Sequence, residues 1–253
     1  MKTVLGIDAA WTLKNPSGVA LVQQSATGWS LIAVSPSVPQ FLELAPPTKE
    51  SGDAARLVQA CAHLSGVAPQ IVAIDMPLAR RPITKRRASD NAISSAYGSR
   101  KCSTHSPTPE RPGLIGERWY ADFEKEGYPL QTSKFVGRGI VEVYPHPALV
   151  ELAQAPERLR YKVAKKRSYW KECSPSERNE KLRAVWEEII DLLDKVVAGT
   201  RTGMEPLMKS GKPKAIEDAL DAVVCAWVGT CILDGLATPF GDEESAIWVP
   251  NPS

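Results

Sequence analysis

Hydrophobic and polar positions change rhythm several times along the chain. Lys2–Ala9 alternates and then runs apolar. Two further short runs, Ser17–Gln23 and Trp29–Ser35, follow the turn-forming stretches Asn15-Pro16-Ser17-Gly18 and Ala26-Thr27-Gly28. This spacing predicts three strands in a β-meander. Apolar residues at 54, 57, 58, 61 and 64 then recur at helical spacing over Gly52–Leu64. Ile71-Val72-Ala73-Ile74-Asp75 is a short, continuous apolar run closed by an acid, the pattern of a central parallel strand buried on both faces.

Residues 78–113 are rich in Ser, Thr, Pro and basic side chains and predict mostly loop, with one helix over Thr84–Tyr97. Leu114–Glu126 reads as a helix, Ile140–Tyr144 as a strand, and Ala148–Ala153 as a short helix. Ser176–Val197 carries one apolar stripe through Leu182, Val185, Trp186, Ile189, Ile190, Leu193 and Val196. Lys214–Leu236 is the most apolar helical stretch, and Ala246–Val249 predicts a last strand at an edge. An antiparallel meander followed by alternating strands and helices implies an α/β protein, with a mixed sheet covered on both faces.

Composition narrows the class. With 253 residues, 43% hydrophobic and 24% charged, the chain is neither disordered nor fibrous. Its five cysteines include no CxxC pair, so neither a disulfide framework nor a zinc site is signalled. No 18-residue apolar stretch predicts a membrane span, and no secretory leader is visible, so a cytoplasmic protein is expected.

The formal charge of +2 conceals a division. Residues 80–118 carry nine Lys/Arg against three Asp/Glu, and residues 156–183 carry ten against four. Each segment has a surplus of six, which leaves the remainder of the chain at about −10. Two basic insertions on an acidic body suit a polyanionic substrate drawn to an acidic site.

The acidic residues lie at telling places. Asp8 ends the first strand and Asp75 ends the apolar strand, so both are expected at the carboxyl edge of the sheet, where open α/β sheets place their sites. Asp218 and Asp221 lie one turn apart on an otherwise apolar helix, where unpaired carboxylates are costly. Glu142, inside a strand, is a further candidate, with a salt bridge to an arginine as its alternative role. Carboxylates clustered without Cys or His favour a hard cation, Mg²⁺ or Mn²⁺. Two such ions can activate a water and stabilise the leaving oxygen of a phosphodiester.

The segments GIDAAWTLKNPSGVA, AIDMPLARRP, EVYPHPALVEL and IEDALDAVVCAWVG resemble, in order, those of domain-of-unknown-function family 429, whose members are predicted nucleases with a ribonuclease H-like fold. They run from residue 6 to residue 229, nearly the whole chain. The resemblance implies one ribonuclease H-like domain over 1–253, with basic insertions near 78–113 and 156–175. It implies a mixed five-stranded sheet in the order 3-2-1-4-5, strand 2 antiparallel. It further implies that Asp8, Asp75, Asp218 and Asp221 are metal ligands, the last two in a D-x-x-D spacing similar to that of resolvases. Glu142 matches a strand acid of the family.

The expected function is therefore a metal-dependent nuclease with Asp8, Asp75, Glu142, Asp218 and Asp221 as its catalytic acids. Arg86, Arg87, Arg100, Lys101, His105, Lys162, Lys165 and Lys166 are the candidate phosphate contacts, with Arg158, Arg160 and the aromatics Tyr161, Tyr169 and Trp170 nearby. His146, between two prolines, reads as structural. Two alternatives stay open: a sugar or acetate kinase-like ATPase of related fold, and a non-catalytic nucleic-acid-binding protein. The ATPase lacks its expected glycine after the first Asp, where Ala9 and Ala10 stand.

Overall fold

The computed structural model describes residues 1–12 and 14–252; Leu13, within the first of the quoted segments, and Ser253 lie outside them. The N-terminal meander consists of β1 (Thr3–Asp8), β2 (Gly18–Ser25) and β3 (Gly28–Ser35). Then come α1 (Val38–Leu42), α2 (Asp53–Ser65) and β4 (Ile71–Ile74). The first basic insertion contains α3 (Ala88–Tyr97) and leads into α4 (Leu114–Lys125). β5 (Gly139–Val143) and α5 (Pro145–Leu152) precede the second insertion, whose only regular pieces are a 3₁₀ turn (Val163–Lys165) and α6 (Lys166–Tyr169). The C-terminal third holds α7 (Pro175–Val196), α8 (Thr200–Ser210), α9 (Pro213–Leu233), β6 (Ala237–Gly241) and β7 (Ala246–Pro250).

The strands form one mixed sheet in the order β3-β2-β1-β4-β5-β7-β6, seven strands rather than the expected five. β1, β4, β5 and β7 run parallel, while β2 opposes β1 and β6 opposes β7. The last apolar run is therefore not an edge strand: β6 lies outside β7. β6 (Ala-Thr-Pro-Phe-Gly) has no clean alternation and contains Pro239, which suits only an edge. The opposite border, β3, is partly covered. Leu31 N–H donates to Ala198 O and Ala198 N–H donates to Trp29 O, each at 2.9 Å. No helix among the described residues is long and apolar enough to cross a membrane.

Alternation along the strands builds two cores. Val4, Ala73 and Val141 face α7 and α9 on one side. Leu5, Ile7, Val72 and Ile74 face Leu57 of α2 and Phe123 of α4 on the other. The start of α7 follows its sequence: Ser174 Oγ accepts from Glu177 N–H, Glu177 Oε2 accepts from Ser174 N–H at 2.7 Å, and Pro175 opens the helix.

Two glycines set the depth of α9. A Cβ on Gly6 would lie 2.2 Å from Ala222 O and 2.4 Å from Ala226 N; one on Gly18 would lie 2.0 Å from Asp218 O. Backbone of α9 thus rests directly on β1 and β2, closer than any side chain would permit. Gly18 is also the register partner of Asp8. The same contact that seats the helix carries its acidic first turns to the end of β1.

Candidate active site

β1 and β4 are parallel with Ile7 opposite Ile74, so Asp8 and Asp75, each the next residue, leave the sheet side by side at its carboxyl edge. The ladder continues one step beyond the strand, with Asp75 N–H donating to Ile7 O at 2.9 Å. Burial, then the Asp221 charge, raise the proton affinity of Asp8 well above the usual carboxylate range; Lys162 opposes them and Asp75 and Asp218 add to them. Asp75 is pushed up to about 7, again by burial first, with Lys162 opposing and Asp221 adding.

The α9 acids arrive from above the sheet. Glu217, Asp218 and Asp221 are 4%, 2% and 0% exposed. The second basic insertion delivers the partners of Asp221: Tyr161 Oη donates to Oδ1 at 2.7 Å, and the ammonium of Lys162 is bonded to Oδ2. The Tyr161 backbone is fixed in turn by Trp186, whose indole N–H donates to its carbonyl at 2.9 Å. Glu217 accepts from Val163 N–H at 2.5 Å and from Lys214 Nζ at 2.9 Å. Lys214 also pairs with Asp218 Oδ1 at 2.6 Å, leaving Asp218 Oδ2 buried without a partner.

Five carboxylates (Asp8, Asp75, Glu217, Asp218 and Asp221) thus gather around two ammonium groups, Lys162 and Lys214. Among the described residues, no three His, Cys, Asp or Glu side chains stand so as to hold one metal ion between them. The donor set nevertheless fits a hard divalent cation in chemistry and in charge. Its ligands are all oxygen, its negative charge exceeds its positive, and one buried carboxylate oxygen is unpaired. Lys162 is the cation that stands beside Asp221 in the cluster.

Glu142 approaches Asp75 from the other side of the sheet: the two line one small cavity with Arg87 and His105, and the Glu142 charge adds to the raised proton affinity of Asp75. Glu142 lies opposite Ile74 in register, hence on the sheet face turned away from α9. Both its oxygens are taken by Arg87, at 2.5 and 2.8 Å, and Leu78 N–H donates to Oε2 at 2.8 Å. Arg87 also pairs with Asp90 at 2.8 Å. This buried network ties the first basic insertion to β5 beside Asp75, and it gives Glu142 the salt bridge to an arginine that was its alternative role.

Most of the other basic candidates are committed within the fold. Arg86 bonds Asn91, Ser94 and Ser106 and closes its own loop. Arg100 pairs with Glu151 at 2.5 Å, Lys101 pairs with Glu157, and Lys166 bonds Asn179 at 2.7 Å. Lys165 is exposed on the 3₁₀ turn. The positive surplus of the two insertions thus fastens them to each other and to the body, a use that a charge count does not reveal.

A cavity of about 580 Å³ opens next to Asp75. His105 and Ser106 border it, and Trp11, Arg111, Tyr144, His146 and Arg158 complete much of its wall. Trp11, Arg111 and Tyr144 were not anticipated: they come from three separate loops or strand ends and share no spacing. The signal that was present is Tyr144-Pro145-His146, the rigid exit of β5 into α5.

A family model described as "Protein of unknown function (DUF429)" matches residues 6–246, nearly the whole chain, and the match takes in all five clustered carboxylates. Comparison with curated proteins gives no match.

Proposed function

The chain belongs to the DUF429 family, and from that premise we propose that it is a metal-dependent nuclease hydrolysing phosphodiester bonds. We read β3-β2-β1-β4-β5 as a ribonuclease H-like sheet, with β7 and β6 as an extension of its far side. The observation that carries the reading is the convergence on Asp8 of carboxylates from β1, from the end of β4 and from α9.

In this reading Asp8, Asp75 and an α9 carboxylate would hold Mg²⁺ or Mn²⁺, which supplies an activated water and offsets charge on the leaving oxygen. The chain's own residues do the positioning. Tyr161 and Lys162 fix the carboxylate of Asp221. Lys214 holds Asp218 by one oxygen and leaves the other free. Gly6 and Gly18 fix the distance between helix and sheet. Water forms the new bond to phosphorus, the bond from phosphorus to the leaving oxygen breaks, and that oxygen takes up a proton.

The test is cleavage of end-labelled RNA and DNA oligonucleotides, with Mg²⁺ and with Mn²⁺, by the parent and by Asp8→Asn. The variant is expected to lose activity by on the order of a hundredfold or more, with oligonucleotide binding retained in a chelator. Equal cutting by the two proteins, or no cutting by the parent with either ion, overturns the reading.

A further inference from the structure

The cavity beside Asp75 combines three features that a purely structural void does not need. Two of its guanidinium groups, Arg111 and Arg158, have no carboxylate partner among the described residues. Arg158 Nε is buried and makes no hydrogen bond, although most other basic side chains of the insertions are paired. His146 is 6% exposed, and its Nδ1 is buried without a partner at the same wall. Buried polar atoms are normally satisfied, so two orphans on residues that line one cavity set this wall apart from the paired remainder of the insertions.

The remaining wall is aromatic. Trp11 is held by the Arg111 guanidinium, 5.8 Å from its ring centre, and Tyr144 packs edge-on against His146 with centroids 5.2 Å apart. Cations beside flat apolar rings match a phosphate joined to a base: guanidinium groups take the phosphate, and rings take the π-face of the base. At about 580 Å³ the cavity falls within the range, roughly 300–1,000 Å³, of sites for small ligands. It is sized for one nucleotide. A paired duplex keeps its bases stacked inside and reaches such a cavity only by flipping one out, at a cost in unstacking.

We propose that this cavity is a subsite for one unpaired nucleotide of a polynucleotide strand, its phosphate on Arg111 and Arg158 and its base against Trp11 and Tyr144. The proposal rests on the nuclease reading and names its substrate class: strands with unpaired positions, bound next to Asp75.

Binding measured in a chelator separates this subsite from the chemistry. Fluorescence anisotropy is followed with labelled single-stranded RNA, single-stranded DNA and a fully paired DNA duplex of the same sequence, over a salt series. At least one single strand is expected to bind tenfold or more tightly than the duplex, and comparison of the two sugars identifies which is accepted. Trp11→Leu is expected to weaken that binding about tenfold. Arg111→Gln and Arg158→Gln are each expected to reduce the slope of log affinity against log salt by about one. Arg111 is exposed and Trp11 is only partly buried, so these variants keep the test open if Arg158→Gln fails to fold. Duplex binding as tight as single-strand binding, or parental affinity in both the Trp11 and Arg111 variants, overturns the subsite. Subsite failure with Asp8-dependent cutting leaves the nuclease reading standing. Loss of binding in the variants with Asp8-independent cutting does the reverse.

Discussion

The ammonium of Lys162 is bonded to Oδ2 of Asp221, within the cluster that also contains Asp8 and Asp75. The second basic insertion therefore supplies a cation to the acidic centre. Lys162 is raised above its ordinary proton affinity because Asp221 and then Asp8 outweigh the cost of burial, so it is charged. Lys162→Met removes one of the two ammonium groups and leaves a buried carboxylate uncompensated, a change that costs about 3–5 kcal/mol. The variant is expected to melt lower than the parent in a chelator, to regain most of the difference in Mn²⁺, and to bind Mn²⁺ more tightly by calorimetry. An unchanged melting temperature in the chelator contradicts this account of the cluster.

Gly6→Ala should be costly for a residue so small. The added methyl group meets Ala222 O and Ala226 N, both backbone atoms, so the strain cannot be relieved by a rotamer change. Overpacking of this kind costs about 1–3 kcal/mol or more. The midpoint of urea unfolding is expected to fall, and activity is expected to fall further than stability accounts for, because α9 moves away from Asp8. A variant with the parental midpoint shows that the helix is not seated as described.

Glu142→Gln should separate stability from chemistry. The substitution weakens the pairing with Arg87 on the sheet face away from Asp8, and its only reach into the cluster is one of several charges acting on Asp75. Unfolding is expected at lower urea, while cleavage measured on the folded protein stays within a few-fold of the parent. Arg87→Met strands both Glu142 and Asp90 and is expected to cost about 3–5 kcal/mol. A loss of cleavage in Glu142→Gln equal to that in Asp8→Asn returns Glu142 to the reacting centre.

His146 predicts the shape of the acid limb of stability. Burial holds its proton affinity well below the ordinary value of 6.5, and Lys162, Arg158 and His105 lower it further. As the pH falls below 6.5 the unfolded chain takes up this proton and the folded one does not, so stability declines with falling pH at up to about 1.4 kcal/mol per unit. Asp75 and Glu142, raised to about 7 and about 6, act in the opposite sense by binding protons in the folded state first. The informative quantity is thus the parent minus His146→Asn, in which those contributions cancel. Denaturant midpoints between pH 7 and pH 5 are expected to drop less steeply in the variant; parallel profiles exclude the buried neutral imidazole.

Much of the architecture was legible because hydrophobic period is a strong signal. The continuous apolar run of β4 and the stripe of α7 fall within one or two residues of expectation. The nearness of Asp8 and Asp75 followed from two parallel strands ending at the same edge. Three of the elements containing proline were missed: α1 holds Pro39, α8 holds Gly203 and Pro206, and β6 holds Pro239. For Glu142 the sequence left two roles open, because a strand acid gives no sign of which face it will take until register is known; the structure shows the arginine pair. Arg87 and Arg100 looked like outward charge because their carboxylate partners Glu142 and Glu151 lie more than fifty residues away; Arg86 is held by polar side chains of its own insertion, which a charge count does not register. The cavity wall was invisible for the same reason, since Trp11, Arg111 and Tyr144 meet only in the folded chain.

The two borders of the sheet have a consequence for how copies of this molecule meet. Unpaired strand edges template the addition of strands from other chains. Here Ala198 takes up hydrogen-bonding groups on β3, and Pro239 removes a donor from β6. Neither rim presents a complete ladder, so each offers an interrupted template to a strand from another copy.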